Sequence, residues 1–160
     1  MSFDAQEALK SYQFDQAFAA AADGDIAKVK EFVEHRGVDV NGRSKPRNGN
    51  TMLAAAAYSG NLELMRYLLE QKADPNVPNT MGATPLMIGL GSPHFSKEMG
   101  DMLVSRGADI HYISPIGTTA LDMMFDVNDA SPEVVRWLAD KGYDVMKTGS
   151  EPKMPPLLNA

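Results

Sequence analysis

Apolar residues recur at three- and four-residue steps in three separate segments: Ile26, Val29 and Val33; Leu62, Met65 and Leu69; Val134, Val135 and Leu138. That spacing places each set on one face of a helix. A residue suited to N-capping precedes each of these helices and a fourth one, at Asp25, Asn61, Ser96 and Ser131. Ser131 is followed by Pro132 and Glu133, which makes it the clearest start of the four. Shorter runs rich in small residues, Ala19 to Ala22 and Ala54 to Ala57, predict a companion helix ahead of the first two. Behind the longer helices stand Gly37, Gly107 and Gly142, because glycine takes the left-handed conformation that closes a helix without a steric cost. Lys72 occupies the fourth such position, where its Cβ costs on the order of 1 kcal/mol.

These elements repeat. Asp39, Asp74, Asp109 and Asp144 are spaced 35 residues apart, and each closes a phrase of helix end, turn residue and aspartate. The phrases are Arg36-Gly37-Val38-Asp39, Gln71-Lys72-Ala73-Asp74, Arg106-Gly107-Ala108-Asp109 and Lys141-Gly142-Tyr143-Asp144. Ahead of the last three lies a second shared phrase: Gly49-Asn50-Thr51-Met52-Leu53, Gly82-Ala83-Thr84-Pro85-Leu86 and Gly117-Thr118-Thr119-Ala120-Leu121. Threonine before proline suits a helix start, since the hydroxyl accepts a first-turn N–H and proline has none to lose.

A G-x-T-P-L phrase, an apolar helix and a G-A-D phrase in register resemble the ankyrin repeat from about Asp15 to Asp144. The resemblance implies an all-α solenoid of stacked antiparallel helix pairs joined by β-hairpin-like loops. The expected organisation is a single domain with an N-terminal extension over 1–14. A capping first copy covers 15–47, with further copies at 48–79, 80–114 and 115–147. Residues 148–160 form a tail or a partial fifth copy. Pro155 to Ala160 reads either as a minimal cover for the fourth copy or as the opening of a fifth. A helix pair of this size cannot bury its own stripe, so neighbouring copies must share a core.

The interval of 35 is composite. From motif threonine to aspartate the distances are 23, 25 and 25 residues, and from aspartate to the next threonine 12, 10 and 10. Against the usual repeat of about 33 residues, each copy carries a two-residue insertion. The first lengthens the hairpin Gly42 to Asn50; the others lengthen the inter-helix turns near Gly91 to Phe95 and Asp126 to Ala130.

Charge and composition narrow the function. The net charge of −6 argues against nucleic acid, which requires a basic face, and favours a protein partner with a basic surface. The charge is uneven: Arg43, Lys45 and Arg47 crowd the first hairpin, while Asp122, Asp126 and Asp129 gather in the fourth copy. They read as two solvated clusters or as a polarised groove that orients a partner. There is no cysteine, no stretch apolar enough to span a bilayer, and no secretory pattern at the start, so the expected setting is cytoplasmic. The chain is expected to be monomeric on its own.

Catalytic patterns are missing. Stacked helices sit about 8–10 Å apart, too far for aspartates of neighbouring copies to share a cation whose oxygen ligands lie at roughly 2.3–2.6 Å. Each aspartate is therefore expected to accept backbone N–H groups in its own turn. His35, His94 and His111 lack metal-ligand spacing, and Gly89-Leu90-Gly91-Ser92 has neither the strand nor the Lys-Ser/Thr pair of a phosphate loop. No catalytic, cofactor or metal site is predicted.

The resemblance carries the functional reading. Ankyrin stacks are generally protein-binding modules that use hairpin tips and the exposed side of the first helices. The corresponding positions here are Arg47 and Asn48, Thr80 and Met81, and Pro115 and Ile116, with Tyr58, Ser59 and Asp126 on the first helices. Met81 and Ile116, with Tyr58, Phe95 and Tyr112 nearby, would form an apolar patch suited to partner contacts. The family's histidine after T-P-L is replaced by Ala54, Met87 and Asp122. Met87, Met99, Met102, Met123 and Met124 read as core filler or as adaptable packing. The expected function is a non-enzymatic interaction module; the alternatives are a stoichiometric inhibitor of one enzyme or toxin, and a small-molecule binder or enzyme.

Overall fold

In the computed structural model, which describes residues 3–125 and 131–144, the helices come in pairs. The first pair is α1 (Phe3–Asp23) and α2 (Ile26–Lys30), the latter running on through a π-helical turn (Glu31–His35). The next are α3 (Met52–Ser59) with α4 (Leu62–Glu70), α5 (Pro85–Leu90) with α6 (Lys97–Ser105), and α7 (Ala120–Phe125) with α8 (Pro132–Asp140). Helix α3 packs between α1 and α5, and α5 against α7; on the other side α4 packs on α6 and α6 on α8. First helices thus make one layer and second helices the other. Among the described residues no strand forms, and the first hairpin is closed by one antiparallel bridge, Ser44 to Asn50. Helix α1 already starts at Phe3, so residues 3–14 lie on the same continuous helix as the first helix of the first copy.

The predicted caps act through named bonds. Thr51 Oγ1 accepts from the Ala54 N–H at 3.2 Å and Thr84 Oγ1 from that of Met87 at 3.4 Å. Asp25, Asn61 and Ser96 accept in the same way from Lys28, Leu64 and Met99. Ser131, the clearest start by sequence, makes no side-chain cap bond. Its own carbonyl takes the Val134 N–H at 2.9 Å, the donor its hydroxyl would otherwise cap. In the fourth copy the side-chain bonding runs the other way, as in one half of a capping box: the Thr119 N–H and hydroxyl both donate to Asp122 Oδ2, at 2.7 and 2.9 Å. Asp122 is therefore engaged with its own helix start, while Asp126 and Asp129 lie outside the described residues.

Between the layers lies one core, in which Leu53, Leu64, Met65, Leu68, Leu86, Met99, Leu103, Leu121 and Leu138 are fully buried. The predicted stripes supply Val29, Leu69 and Val134 as well, with Ile26, Val33, Leu62 and Val135 packed at its margin. Met87 and Met99 are buried in it, as filler. Burial and a hydrogen bond join the first two copies: the Tyr67 hydroxyl donates to Glu34 at 2.9 Å. Desolvation, then that bond, pushes the phenol up to about 12.

Polar links run along the turns. Asp39, Asp74 and Asp109 each accept the N–H two residues on, at 2.9 Å, as expected of Asx turns. The residue receiving that turn then reaches the next copy. Asn41 donates to the Lys72 carbonyl at 3.3 Å and accepts from the Asp74 N–H at 2.7 Å. Asn76 does the same with Gly107 and Asp109, at 2.8 Å each. His111 takes this place in the third copy, and its ring stacks on Tyr143 with centroids 5.5 Å apart and planes 6° from parallel.

Lys72 stands at φ 72°, beside values of 65°, 94° and 81° at Gly37, Gly107 and Gly142. Lys72→Gly relieves the strained Cβ and is expected to add about 0.5–1 kcal/mol, after allowing for the greater freedom of glycine in the unfolded chain. Thermal denaturation checks it; an unchanged or lower melting temperature would contradict strain at this turn.

Candidate functional site

Three hairpin tips project from the layer of first helices, and backbone chemistry aims them. The first carries a 3₁₀ turn (Lys45–Arg47), which takes up its longer loop, and Asn48 beyond it at φ 58°. The Asn48 carbonyl accepts from both the N–H and the hydroxyl of Thr80, at 2.8 and 2.9 Å, so the first tip holds the second. Within the second tip, Asn79 Oδ1 accepts the N–H groups of Met81 and Ala83 at 2.9 Å each, and its Nδ2 donates to Asn50 Oδ1 at 2.9 Å. Ser114 Oγ accepts from the Thr118 N–H at 3.0 Å in the third. The consequence is that Met81 and Ile116 point outward, 64% and 76% exposed.

Between these tips and the first helices runs a groove of about 650 Å³. Its walls include Arg47, Tyr58, Met81 and Ile116, four of the residues expected on the sequence. Tyr58 is 57% exposed there. Tyr112 lines an adjoining depression of about 250 Å³ that shares Met81 and Ile116. Asn48 contributes through its carbonyl, as the clamp on Thr80, and does not line the groove. Asp126 lies outside the described residues.

Phe95 departs from the expectation. Its ring meets Trp137 edge-on, 5.6 Å between centroids, and it packs against the core between α6 and α8. The inserted turn that carries it is fastened inward: the Ser92 hydroxyl donates to the Tyr58 carbonyl and accepts from the His94 N–H at 3.1 Å. That fastening directs Phe95 to the second-helix layer and away from Met81 and Ile116.

The groove floor holds residues that the sequence does not mark as binding positions, among them Ala55, Ile88 and Met123. All three stand four residues after the motif threonines Thr51, Thr84 and Thr119, on the helix face turned toward the tips. That offset was available in the sequence, but only a stacked pair of copies shows which face of a short, apolar helix stays uncovered. Arg47 is the single charged residue of the lining, and it forms no ion pair among the described residues.

This arrangement suits contact with an extended surface and does not enclose a reactant. Among the described residues no three His, Cys, Asp or Glu side chains converge as a metal site, and no buried side-chain polar atom lacks a partner. No helix there is long and apolar enough to cross a membrane.

Residues 17–114 match the family model described as ankyrin repeats (3 copies). The chain is 34% identical over 142 residues to the mouse ankyrin repeat and SAM domain-containing protein 6, and 35% identical over 143 residues to the rat protein of that name. Each match covers 88% of this chain and 16% of the longer relative. A putative ankyrin repeat protein of Rickettsia felis is 30% identical over 105 residues, 62% of this chain and 46% of that protein.

Proposed function

Since the chain belongs to the ankyrin-repeat family, whose stacks are generally protein–protein interaction modules, we propose that it works without catalysis, binding a partner protein in the groove beneath its hairpin tips. One observation carries the reading: Met81 and Ile116 occupy equivalent tips and stand out from the surface, flanking an apolar floor. Large apolar side chains at the centre of a contact provide most of its affinity, while a polar rim excludes water. The tips are held by Asn79 and Ser114, so little order has to be gained on binding. The charge of −6 favours a partner whose flanks are basic, whereas the groove itself carries only Arg47.

Affinity purification from the native host identifies the partner, and the double variant Met81→Asp/Ile116→Asp then tests the site. Both side chains are solvent-facing, so the melting temperature should stay within a degree or two. Affinity should fall at least about ten-fold as two carboxylates enter an apolar contact. Unchanged affinity with an intact fold would place the contact elsewhere.

A further inference from the structure

A second concavity lies away from that groove, between the N-terminal half of α1 and the first hairpin, and at about 970 Å³ it is the larger. Its walls are fixed. The Phe14 ring lies so close to the hairpin that a Cβ on Gly42 would come within 2.5 Å of it. The Ser44 hydroxyl donates to Asp15 Oδ1 at 3.4 Å, tying the hairpin to α1 a second time. The floor is apolar, from Leu9, Phe14 and Val38, and Leu9 is 46% exposed.

The rim reverses the charge of the rest of the chain. Lys10, Arg36, Arg43 and Lys45 line it, against the carboxylates Glu7 and Asp39. Asp39 already accepts from the Asn41 N–H, and Arg36 is paired with Glu31 at 2.8 Å. Lys10, Arg43 and Lys45 form no ion pair among the described residues. On a chain of net charge −6, a trough with an apolar floor and three cations that form no ion pair among the described residues, of which Arg43 Nε donates to the Gly49 carbonyl at 3.3 Å, is a local inversion. The geometry points to a second docking site, here for an acidic amphipathic segment of a partner protein. Apolar side chains of that segment sit on Leu9 and Phe14, and its carboxylates meet Lys10, Arg43 and Lys45. The α1 wall from Gln6 to Phe14 spans about 12 Å at 1.5 Å per residue, enough to seat two turns of a helix. A nucleic acid would satisfy the cations and leave the apolar floor uncovered.

The test uses the full chain and a fluorescein-labelled peptide with leucine at helical i, i+3, i+4 and i+7 spacing and glutamate elsewhere. The same peptide with lysine for glutamate, one with serine for leucine, and a single-stranded oligonucleotide serve as comparators in fluorescence anisotropy. Only the leucine–glutamate peptide should bind, more weakly as salt rises. Lys10→Glu/Arg43→Glu/Lys45→Glu should weaken it by about ten-fold or more, and Leu9→Ser by several-fold, with circular dichroism unchanged. Met81→Asp/Ile116→Asp should leave it untouched, which separates this site from the groove above. Equal binding of the lysine peptide, tighter binding of the oligonucleotide, or indifference to the triple and Leu9 variants would overturn the proposal. So would a dimer, seen by sedimentation, that dissociates on Leu9→Ser, since the face would then belong to a second copy.

Discussion

Trp137→Ala is expected to lower stability by about 3–5 kcal/mol, the range for deleting a buried aromatic side chain, and to release the fourth copy ahead of the rest. Trp137 is 2% exposed and is the chain's one tryptophan. Its indole lies against Gly100, where a Cβ would come within 2.5 Å of the ring. The Phe95 edge closes one side, and the indole N–H donates to Asp101 Oδ1 at 2.9 Å. Lys141 reaches the same carboxylate at 2.8 Å. Removing the indole therefore opens a cavity and loses the contact that binds α8 to α6.

In a stack each copy touches only its neighbours, so the loss stays local. Urea unfolding followed by far-ultraviolet circular dichroism should show two steps in the variant, with the remaining copies melting near their original midpoint. One transition displaced by less than about 1 kcal/mol would contradict this role for Trp137. The same junction should weaken in acid. The bond from Lys141, then that from Trp137, holds the Asp101 carboxyl below its ordinary 3.8. A depressed carboxyl adds stability above its unfolded value, and that contribution disappears as pH falls through the folded one.

Asn79→Ala is the second large effect, expected to cost about 2 kcal/mol because it strands two partly buried partners, the Ala83 N–H and Asn50 Oδ1, besides freeing the exposed Met81 N–H. The Met81 and Ala83 N–H groups lose their acceptor and Asn50 Oδ1 its donor. The second tip then loosens, and affinity for the partner should fall although Asn79 itself is only half-exposed at the groove wall. Asn79→Asp retains both acceptor bonds, and a rotated Asn50 amide can donate to the new carboxylate. Its melting temperature and affinity should therefore lie close to those of the original chain. If alanine and aspartate behave alike, the bonds from Asn79 do not hold the tip.

Most of the fold was legible because its causes are local. Threonine and asparagine caps, glycine at helix ends and apolar residues at helical steps act within one copy, and they recur in register. Lys72 at positive φ was legible for the same reason. Ser131 does precede the first residue of α8, as its residue type and Pro132 imply, but the sequence does not show that its carbonyl, and not its hydroxyl, holds the Val134 N–H. The links between copies were less visible. Asn41 and Asn76 sit two residues after the periodic aspartates, yet their role depends on carbonyls and N–H groups more than 30 residues away. Phe95 looked like a surface aromatic in an inserted turn; the Ser92 hydroxyl and the Trp137 ring decide where it goes. Tyr58, Met81 and Ile116 could be placed from the repeat frame alone, whereas Ile88 and Met123 on the floor required the stacked layer.

Amide hydrogen exchange on the chain, free and bound to its purified partner, tests the central claim most directly. Binding in the groove predicts slowed exchange at the tips and first helices, in residues 47–59, 79–88 and 113–118. Exchange that slows only in α4, α6 and α8, on the opposite layer, would contradict it.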